Sequence, residues 1–144
     1  MDPKIWGPSS WIFLHSITLA YPTCPDNNDK KNMRQFINSL QFVLPCTKCR
    51  ENFKKHLKLY PLTDEILNSK DKLIKWMIDI HNQVNELNGK KKMTYDQVLK
   101  EYYYKYNSID INKTWIVFLI IFCIFLIIIF FMYVRKICKS NRKI

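Results

Sequence analysis

The sequence predicts an all-α protein: a four-helix bundle plus a short fifth helix, followed by a single transmembrane helix. Three observations support this fold class. Glycine occurs only twice in 144 residues, and strand-type alternation of apolar and polar residues is weak. Apolar residues recur instead at helical spacing through most of the chain. Near the C-terminus, 21 consecutive uncharged residues match the ~20 that a helix needs to cross the hydrocarbon core of a membrane.

The first two helices are predicted on either side of a proline-containing loop, residues 22–26. The first begins at about Ser9 or Ser10, whose hydroxyl can cap a helix, and ends at Tyr21. The second runs from about Asp29 to Val43. Its apolar residues follow the i, i+3, i+4, i+7 pattern of a core-facing stripe. They are Met33, Phe36, Ile37 and Leu40.

The third helix is predicted to start at the pair Cys46 and Cys49 and to end before Pro61. Its inner face would carry Cys49, Phe53, Leu57 and Tyr60. This places Cys49 towards the core and Cys46 nearer the surface.

The fourth helix is predicted from about Ser69 to Asn88, with Gly89 as its C-terminal cap. Its apolar stripe comprises Leu73, Met77, Ile80, Val84 and Leu87, with Trp76 beside it. A charged turn of three lysines follows. Thr94 and Gln97 then form the capping-box pattern that opens the short fifth helix.

The apolar run predicts a single-pass membrane protein with four parts. These are a domain at 1–108, a linker at 109–113, a transmembrane helix at 114–134 and a basic tail at 135–144. The first residues lack the basic and apolar regions of a signal peptide, so we expect a tail anchor with the domain in the cytosol. The basic tail favours the opposite orientation under the positive-inside rule, which leaves the orientation open.

The chain is strongly basic, with a formal net charge of +11. Its lysines are scattered, and no groove-reading motif accompanies them. We therefore expect no nucleic-acid partner, and a solvated surface close to anionic lipid accounts for the charge.

Cys46 and Cys49 are the only two of the five cysteines that are close enough in sequence to suggest a redox pair. A helix N-terminus favours thiolate, and Lys48 and Arg50 add positive charge. A Cys-x-x-Cys pair also occurs in zinc sites and in thioredoxin-type proteins. A thioredoxin-like fold needs a βαβ pattern, which the sequence lacks. A zinc-binding, membrane-tethered interaction module remains the alternative, although structural zinc usually takes two such pairs.

Three segments, taken together, resemble a known family. Trp6-Gly7-Pro8-Ser9-Ser10-Trp11-Ile12-Phe13-Leu14-His15 opens the domain, Pro45-Cys46-Thr47-Lys48-Cys49 lies in its middle, and Trp76 precedes His81-Asn82-Gln83-Val84-Asn85. In this order and at these separations they resemble the Erv/ALR family of FAD-linked sulfhydryl oxidases. The resemblance covers about residues 5–106.

The resemblance implies a set of functional residues. Cys46 and Cys49 would be catalytic, with Cys49 also in contact with the flavin ring. The FAD-binding residues would be Gly7, Ser10, Trp11, His15, Cys49, His81, Asn82, Val84, Asn85, Lys90 and Tyr102. No metal site is implied. Two departures stand out: Tyr102 replaces a tryptophan usual in the family, and Ile78 and Tyr95 occupy the positions of a structural disulfide found in many members.

The resemblance also implies an activity. A substrate thiolate would attack Cys46, the released Cys49 would reduce FAD, and O2 would reoxidise the flavin to give H2O2. Without an internal shuttle pair, the substrates would be protein thiols or a thioredoxin-like carrier. Family precedent suggests a homodimer. Viral members are similarly compact, so a host intracellular or virion membrane would hold the protein.

Overall fold

A computed structural model of the chain describes residues 1–140, apart from the side chains of 108–113, 134 and 136–140. The predicted basic tail therefore lies partly outside the described residues. The described residues form six helices joined by loops, with no strand among them. The predicted all-α class is confirmed.

Helix α1 spans Pro3–Leu19, so the predicted start at Ser9 or Ser10 is wrong. Asp2 caps the helix instead, since its side chain accepts a hydrogen bond from the Lys4 N–H at 2.9 Å. Pro3 occupies the first turn, where the N–H that it lacks would have had no partner within the helix. Pro8 lies inside the helix without ending it.

Helix α2 spans Asn27–Val43 and begins with a reciprocal capping box between Asp26 and Asp29. Its predicted stripe faces the core, because Met33 and Ile37 are buried and Phe36 and Leu40 pack against the same cluster. Helix α3 spans Thr47–Leu59, with Cys46 as its N-cap and Tyr60 as its C-cap. Phe53 is buried as predicted, whereas the Tyr60 side chain is exposed because the helix ends there.

A short helix, α4, spans Asp64–Leu67 and was not predicted. It is too short to show an apolar period, yet Leu67 is fully buried. Helix α5 spans Lys70–Leu87 between the caps Ser69 and Asn88, close to its predicted bounds. Leu87, predicted to face the core, is exposed at the last position of the helix.

Helix α6 spans Tyr95–Ser140, so the predicted fifth helix and the apolar run are continuous through 109–113. The capping box at its start is confirmed, because Thr94 and Gln97 exchange hydrogen bonds of 2.9 and 3.2 Å. Within α6, Thr114–Tyr133 is long and apolar enough to cross a membrane, with a mean hydropathy of 3.4. The chain divides into two compact units, Met1–Val98 and Leu99–Ile144.

The core of the first unit is built from α1, α2, α3, α4 and α5. Helix α5 supplies much of it, since Leu73, Met77 and Ile80 are completely buried. Each such side chain contributes about 1.5–3 kcal/mol by leaving water. Tyr21, just after α1, is also buried, and its hydroxyl donates to the Leu67 carbonyl at 3.0 Å. The core thus holds α1 and α5 side by side, and these two helices carry most of the predicted cofactor-binding residues.

Candidate functional site

Cys46 and Cys49 form a disulfide at the N-terminus of α3, with their Cα atoms 5.1 Å apart. Cys46 is the N-cap, and its Sγ accepts a hydrogen bond from the Cys49 N–H at 3.2 Å. A backbone donor and the positive end of the helix dipole therefore face this sulfur, and both stabilise negative charge on it. Both cysteines are partly exposed. A sulfur atom of another molecule can reach the pair.

Arg50 holds the turn that leads into the pair. Its Nη1 donates to the Phe42 carbonyl at 3.3 Å, and its Nη2 donates to the Thr47 hydroxyl at 3.1 Å. The guanidinium thus joins the end of α2 to the first turn of α3. It also places a permanent positive charge one residue from Cys49, as the sequence suggested.

A second group of site residues meets between α1 and α5. The His15 Nε2 and His81 Nδ1 atoms lie 2.9 Å apart, although 66 positions separate the two residues. One of these nitrogens must carry the proton that the other accepts. Trp11 stacks on the His81 ring, with centroids 3.9 Å apart and planes inclined by 11°. The side chains of Trp11, His15 and His81, here called the aromatic cluster, bring together residues from two of the sequence motifs.

The aromatic cluster packs against the buried part of α1. His15 is only 1% exposed. Thr18, fully buried on the next turn of α1, donates its hydroxyl proton to the His15 carbonyl at 2.9 Å. The burial of His15 and the contact between the two imidazole nitrogens hold the rings in position.

Gly7 lies on the same face of α1 as Trp11 and His15, because positions i, i+4 and i+8 of a helix align. A Cβ atom built on Gly7 would meet nothing within 4 Å. Beyond its two neighbours in the chain, no atom therefore excludes a side chain here, and the space on this face of α1 is open.

Ser10 and Asn82 use their side chains for structure. The Ser10 hydroxyl donates to the Trp6 carbonyl at 3.1 Å. The Asn82 side chain forms two bonds with Met93, donating to its carbonyl at 2.8 Å and accepting from its N–H at 2.9 Å. Asn82 thereby ties α5 to the segment that precedes α6.

The remaining predicted residues lie at or beyond the end of α5. Asn85 is buried, Val84 is half-buried and Lys90 is exposed. The Asn85 carbonyl accepts from the Lys90 N–H at 2.8 Å, and Gly89 makes this turn possible with a φ of 65°. Lys90 thus follows directly on a tight turn at the end of the helix.

Tyr102 belongs to the second unit. Its side chain is 5% exposed. Burial raises the pKa of the phenol to about 12, with smaller contributions from Glu101 and Tyr106. The phenol is therefore neutral at any physiological pH.

The burial of two polar groups was not predicted from the sequence. Among the described residues, the Trp6 Nε1 atom and both ring nitrogens of His56 are buried without a hydrogen-bond partner. Burial lowers the pKa of His56 because the charged imidazolium loses its solvation. His56 lies seven residues after Cys49, and this helical spacing could have identified it as an inward-facing residue. The sequence identified Trp6 only as part of the first motif and gave no indication that its ring nitrogen would be buried.

The zinc alternative requires Cys46 and Cys49 as thiolate ligands. In the structure these two sulfurs are bonded to each other. Within the described part of the chain, no group of three or more His, Cys, Asp or Glu side chains is placed to hold a metal. The geometry of the pair therefore favours redox exchange.

Comparison with known proteins identifies related sequences. The model of the Erv1 / Alr family matches residues 8–104. The chain is 49% identical over 100 residues to a "Probable FAD-linked sulfhydryl oxidase" of Acanthamoeba polyphaga mimivirus, covering 69% of this chain and 70% of the viral one. It is 36% identical over 91 residues to the mitochondrial FAD-linked sulfhydryl oxidase ERV1 of Saccharomyces cerevisiae, covering 63% of this chain and 47% of the yeast protein.

A solved structure agrees with these relatives. The crystal structure of the FAD binding domain of Erv1 from Saccharomyces cerevisiae superposes with a TM-score of 0.62 at 33% identity. The match covers 67% of this chain and 89% of that domain.

Proposed function

This chain belongs to the Erv1/Alr family, and on that basis we propose that it is an FAD-linked sulfhydryl oxidase that forms disulfide bonds in thiol substrates. The observation that carries the proposal is the Cys46–Cys49 disulfide at a helix N-terminus, partly exposed and with a backbone N–H directed at Cys46. This is the oxidised form that a thiol substrate would meet.

In the first step, a substrate thiolate attacks the Cys46 Sγ atom. A mixed disulfide forms, the bond between Cys46 and Cys49 breaks, and its electron pair leaves on Cys49 as a thiolate. A second substrate thiol then attacks the substrate sulfur of the mixed disulfide and releases Cys46. The Cys49 N–H stabilises the Cys46 thiolate that this exchange produces.

The cofactor we assign is FAD, and the residues present fit it. The aromatic cluster offers a flat surface, Gly7 leaves space beside it, and the buried Trp6 Nε1 is a hydrogen-bond donor without a partner among the described residues. When bound, FAD accepts the electron pair of the reduced cysteines and passes it to O2, giving H2O2.

We assign the cofactor-binding residues as follows. Gly7, Ser10, Trp11 and His15 on α1 would border FAD from one side, and His81, Val84 and Asn85 on α5 from the other. Lys90 would neutralise phosphate charge. Asn82 would act by holding the segment around Met93, since its amide is already bonded there. Cys49 and Tyr102 complete the proposed set.

We further propose that protein thiols or a thioredoxin-like carrier are the substrates, and that the enzyme acts as a homodimer. The apolar helix Thr114–Tyr133 would anchor it as a single-pass protein in a host intracellular or virion membrane. The catalytic domain would face the cytosol. The mimivirus relative supports the viral assignment.

The test uses the full chain in a neutral detergent. A flavin absorption band should bleach when dithiothreitol is added under argon and recover under air. In Cys49→Ser the band should persist without bleaching, because the electron pair can no longer pass through Cys49. A colourless protein, or full thiol oxidation by Cys49→Ser, would refute the proposal.

A further inference from the structure

Helix α3 carries a lysine-rich surface next to the redox pair. Its 13 residues include five Lys or Arg side chains and a single acidic one, Glu51. Lys48, Lys54, Lys55 and Lys58 are all exposed on the side opposite the buried Phe53. Within the described residues, none of these four lysines forms an ion pair. Their charge is therefore available to another molecule.

An apolar patch lies on the other side of the pair. Phe42 and Val43, at the end of α2, are 68% and 66% exposed. The Arg50 bonds to the Phe42 carbonyl and to Thr47 fix this patch relative to the first turn of α3. Exposed apolar side chains at a fixed position beside an exchange site are what a partner protein can use as an anchor.

The two surfaces are within reach of one partner. Along the axis of α3, Lys54 and Lys55 lie about 12–14 Å from Cys46, at 1.5 Å per residue. A typical protein interface covers about 800 Å² on each partner, which corresponds to a disc of about 16 Å radius. An interface centred on Cys46 would therefore cover Phe42, Val43 and the nearer lysines together.

We infer that this surface, formed by Phe42, Val43, Lys48, Lys54 and Lys55, docks a protein substrate whose reactive thiols are flanked by acidic residues. The inference rests on the proposed function, since it specifies the substrate of the same disulfide. A protein is favoured over anionic lipid because the surface surrounds a disulfide, and lipid brings no thiol to it. Acidic flanking residues complement the lysines and would speed association.

The test compares three dithiol substrates with the full chain in neutral detergent. Two are synthetic peptides with the same Cys-x-x-Cys core, one flanked by glutamates and one by lysines, and the third is dithiothreitol. We expect kcat/KM for the glutamate peptide to exceed that for the lysine peptide by about tenfold at low salt, within the range of electrostatic rate enhancement. The ratio should fall towards one near 1 M salt, where the Debye length is about 3 Å.

A charge-reversed variant and a matched control locate the effect. Lys54→Glu combined with Lys55→Glu should remove most of the preference while leaving dithiothreitol oxidation unchanged. Lys30→Glu combined with Lys31→Glu makes the same change in net charge on α2, near its other end, and should keep the preference.

Each other outcome is decisive. Equal oxidation of the two peptides by the unmodified chain, with dithiothreitol still oxidised, overturns the docking surface and leaves the oxidase intact. A preference that survives in the α3 variant overturns it too. If dithiothreitol is not oxidised, the proposed function itself fails. A lipid-binding role would appear in hydrogen exchange. If the two peptides are oxidised equally, and if phosphatidylserine vesicles protect the α3 amides from exchange less in the α3 variant than in the unmodified chain, the surface binds lipid and the proposal is wrong.

Discussion

The redox pair and the aromatic cluster are built in opposite ways. The pair is partly exposed, and its described bonds join residues at most eight positions apart. The cluster joins residues 66 positions apart and includes a histidine that is 1% exposed. A site that exchanges disulfides with proteins must be open, whereas a cofactor site gains from enclosure. Changes at the pair should therefore affect chemistry alone, and changes at the cluster should affect chemistry and folding together.

The largest effect within the cluster should come from His15→Leu. The substitution removes the hydrogen bond between the two rings, and the loss of one hydrogen bond costs about 0.5–1.5 kcal/mol. We expect the free energy of unfolding to fall by about this amount, as measured by urea titration of the flavin-free chain, and flavin absorbance per protein to drop strongly. The control is Phe13→Leu, an exposed position on the same helix. Unchanged flavin content in His15→Leu would show that the cluster is structural only.

Asn82 should affect stability, and two variants separate its two bonds to Met93. Asn82→Leu removes both bonds to Met93, while Asn82→Asp retains an acceptor for the Met93 N–H. We expect each variant to lose about 1–2 kcal/mol, because in the aspartate variant a carboxylate oxygen faces the Met93 carbonyl to which the amide had donated. Hydrogen exchange at the Met93 amide should speed up most in the leucine variant. If flavin affinity falls while that amide stays protected, Asn82 contacts the cofactor directly and our positioning role is wrong.

Gly7→Ala should separate stability from binding. A Cβ at this position meets nothing within 4 Å beyond the two neighbouring residues, and the gain in helix propensity is opposed by the following Pro8, which disfavours the helical conformation for a residue with a Cβ. Alanine should therefore change the stability of the flavin-free chain by less than about 1 kcal/mol. The same methyl would occupy the space assigned to the flavin, so flavin affinity should fall. Thermal unfolding with and without added FAD measures both. Unchanged flavin affinity in Gly7→Ala would remove Gly7 from the proposed site.

The smallest effect concerns His56, which is buried beside Phe53 on the inner face of α3. Its folded-state pKa is lowered by burial, so the unfolded chain binds the proton more readily. Stability is therefore complete above about pH 6.5, the unfolded value, and declines as the pH falls below it until the lowered folded-state pKa is reached. His56→Phe should flatten this part of the profile in urea titrations from pH 5 to 8. The control is Tyr60→Phe, at the exposed end of the same helix. His81→Phe would not serve as a control because it disrupts the aromatic cluster.

Much of the fold was predictable because α2, α3 and α5 are amphipathic, and α2 and α5 begin at strong N-caps. The start of α1 was not, since Pro8 and the two following serines suggest a boundary that Asp2 and Pro3 override. Helix α4 has only four residues and shows no period.

Within the site, the motifs identified the residues but could not predict their partners. The bond between His15 and His81 depends on how α1 packs on α5, and the pattern of neither helix encodes it. The same holds for Asn82, whose sequence position suggested a ligand contact while its amide is bonded to Met93. Tyr60 and Leu87 have the spacing of core-facing residues, but both side chains are exposed because each lies at the end of its helix.

The hydrogen bond from the Cys49 N–H to the Cys46 sulfur gives the protein an internal reporter of its oxidation state. The Cys49 sulfur, in the same residue as the amide, becomes a thiolate when the mixed disulfide forms, and the Cys46 sulfur that accepts the hydrogen bond becomes one when the substrate leaves. The NMR chemical shift of the Cys49 amide proton should therefore take different values in the oxidised, mixed-disulfide and reduced chain. A single backbone signal could then follow turnover without any added dye or label.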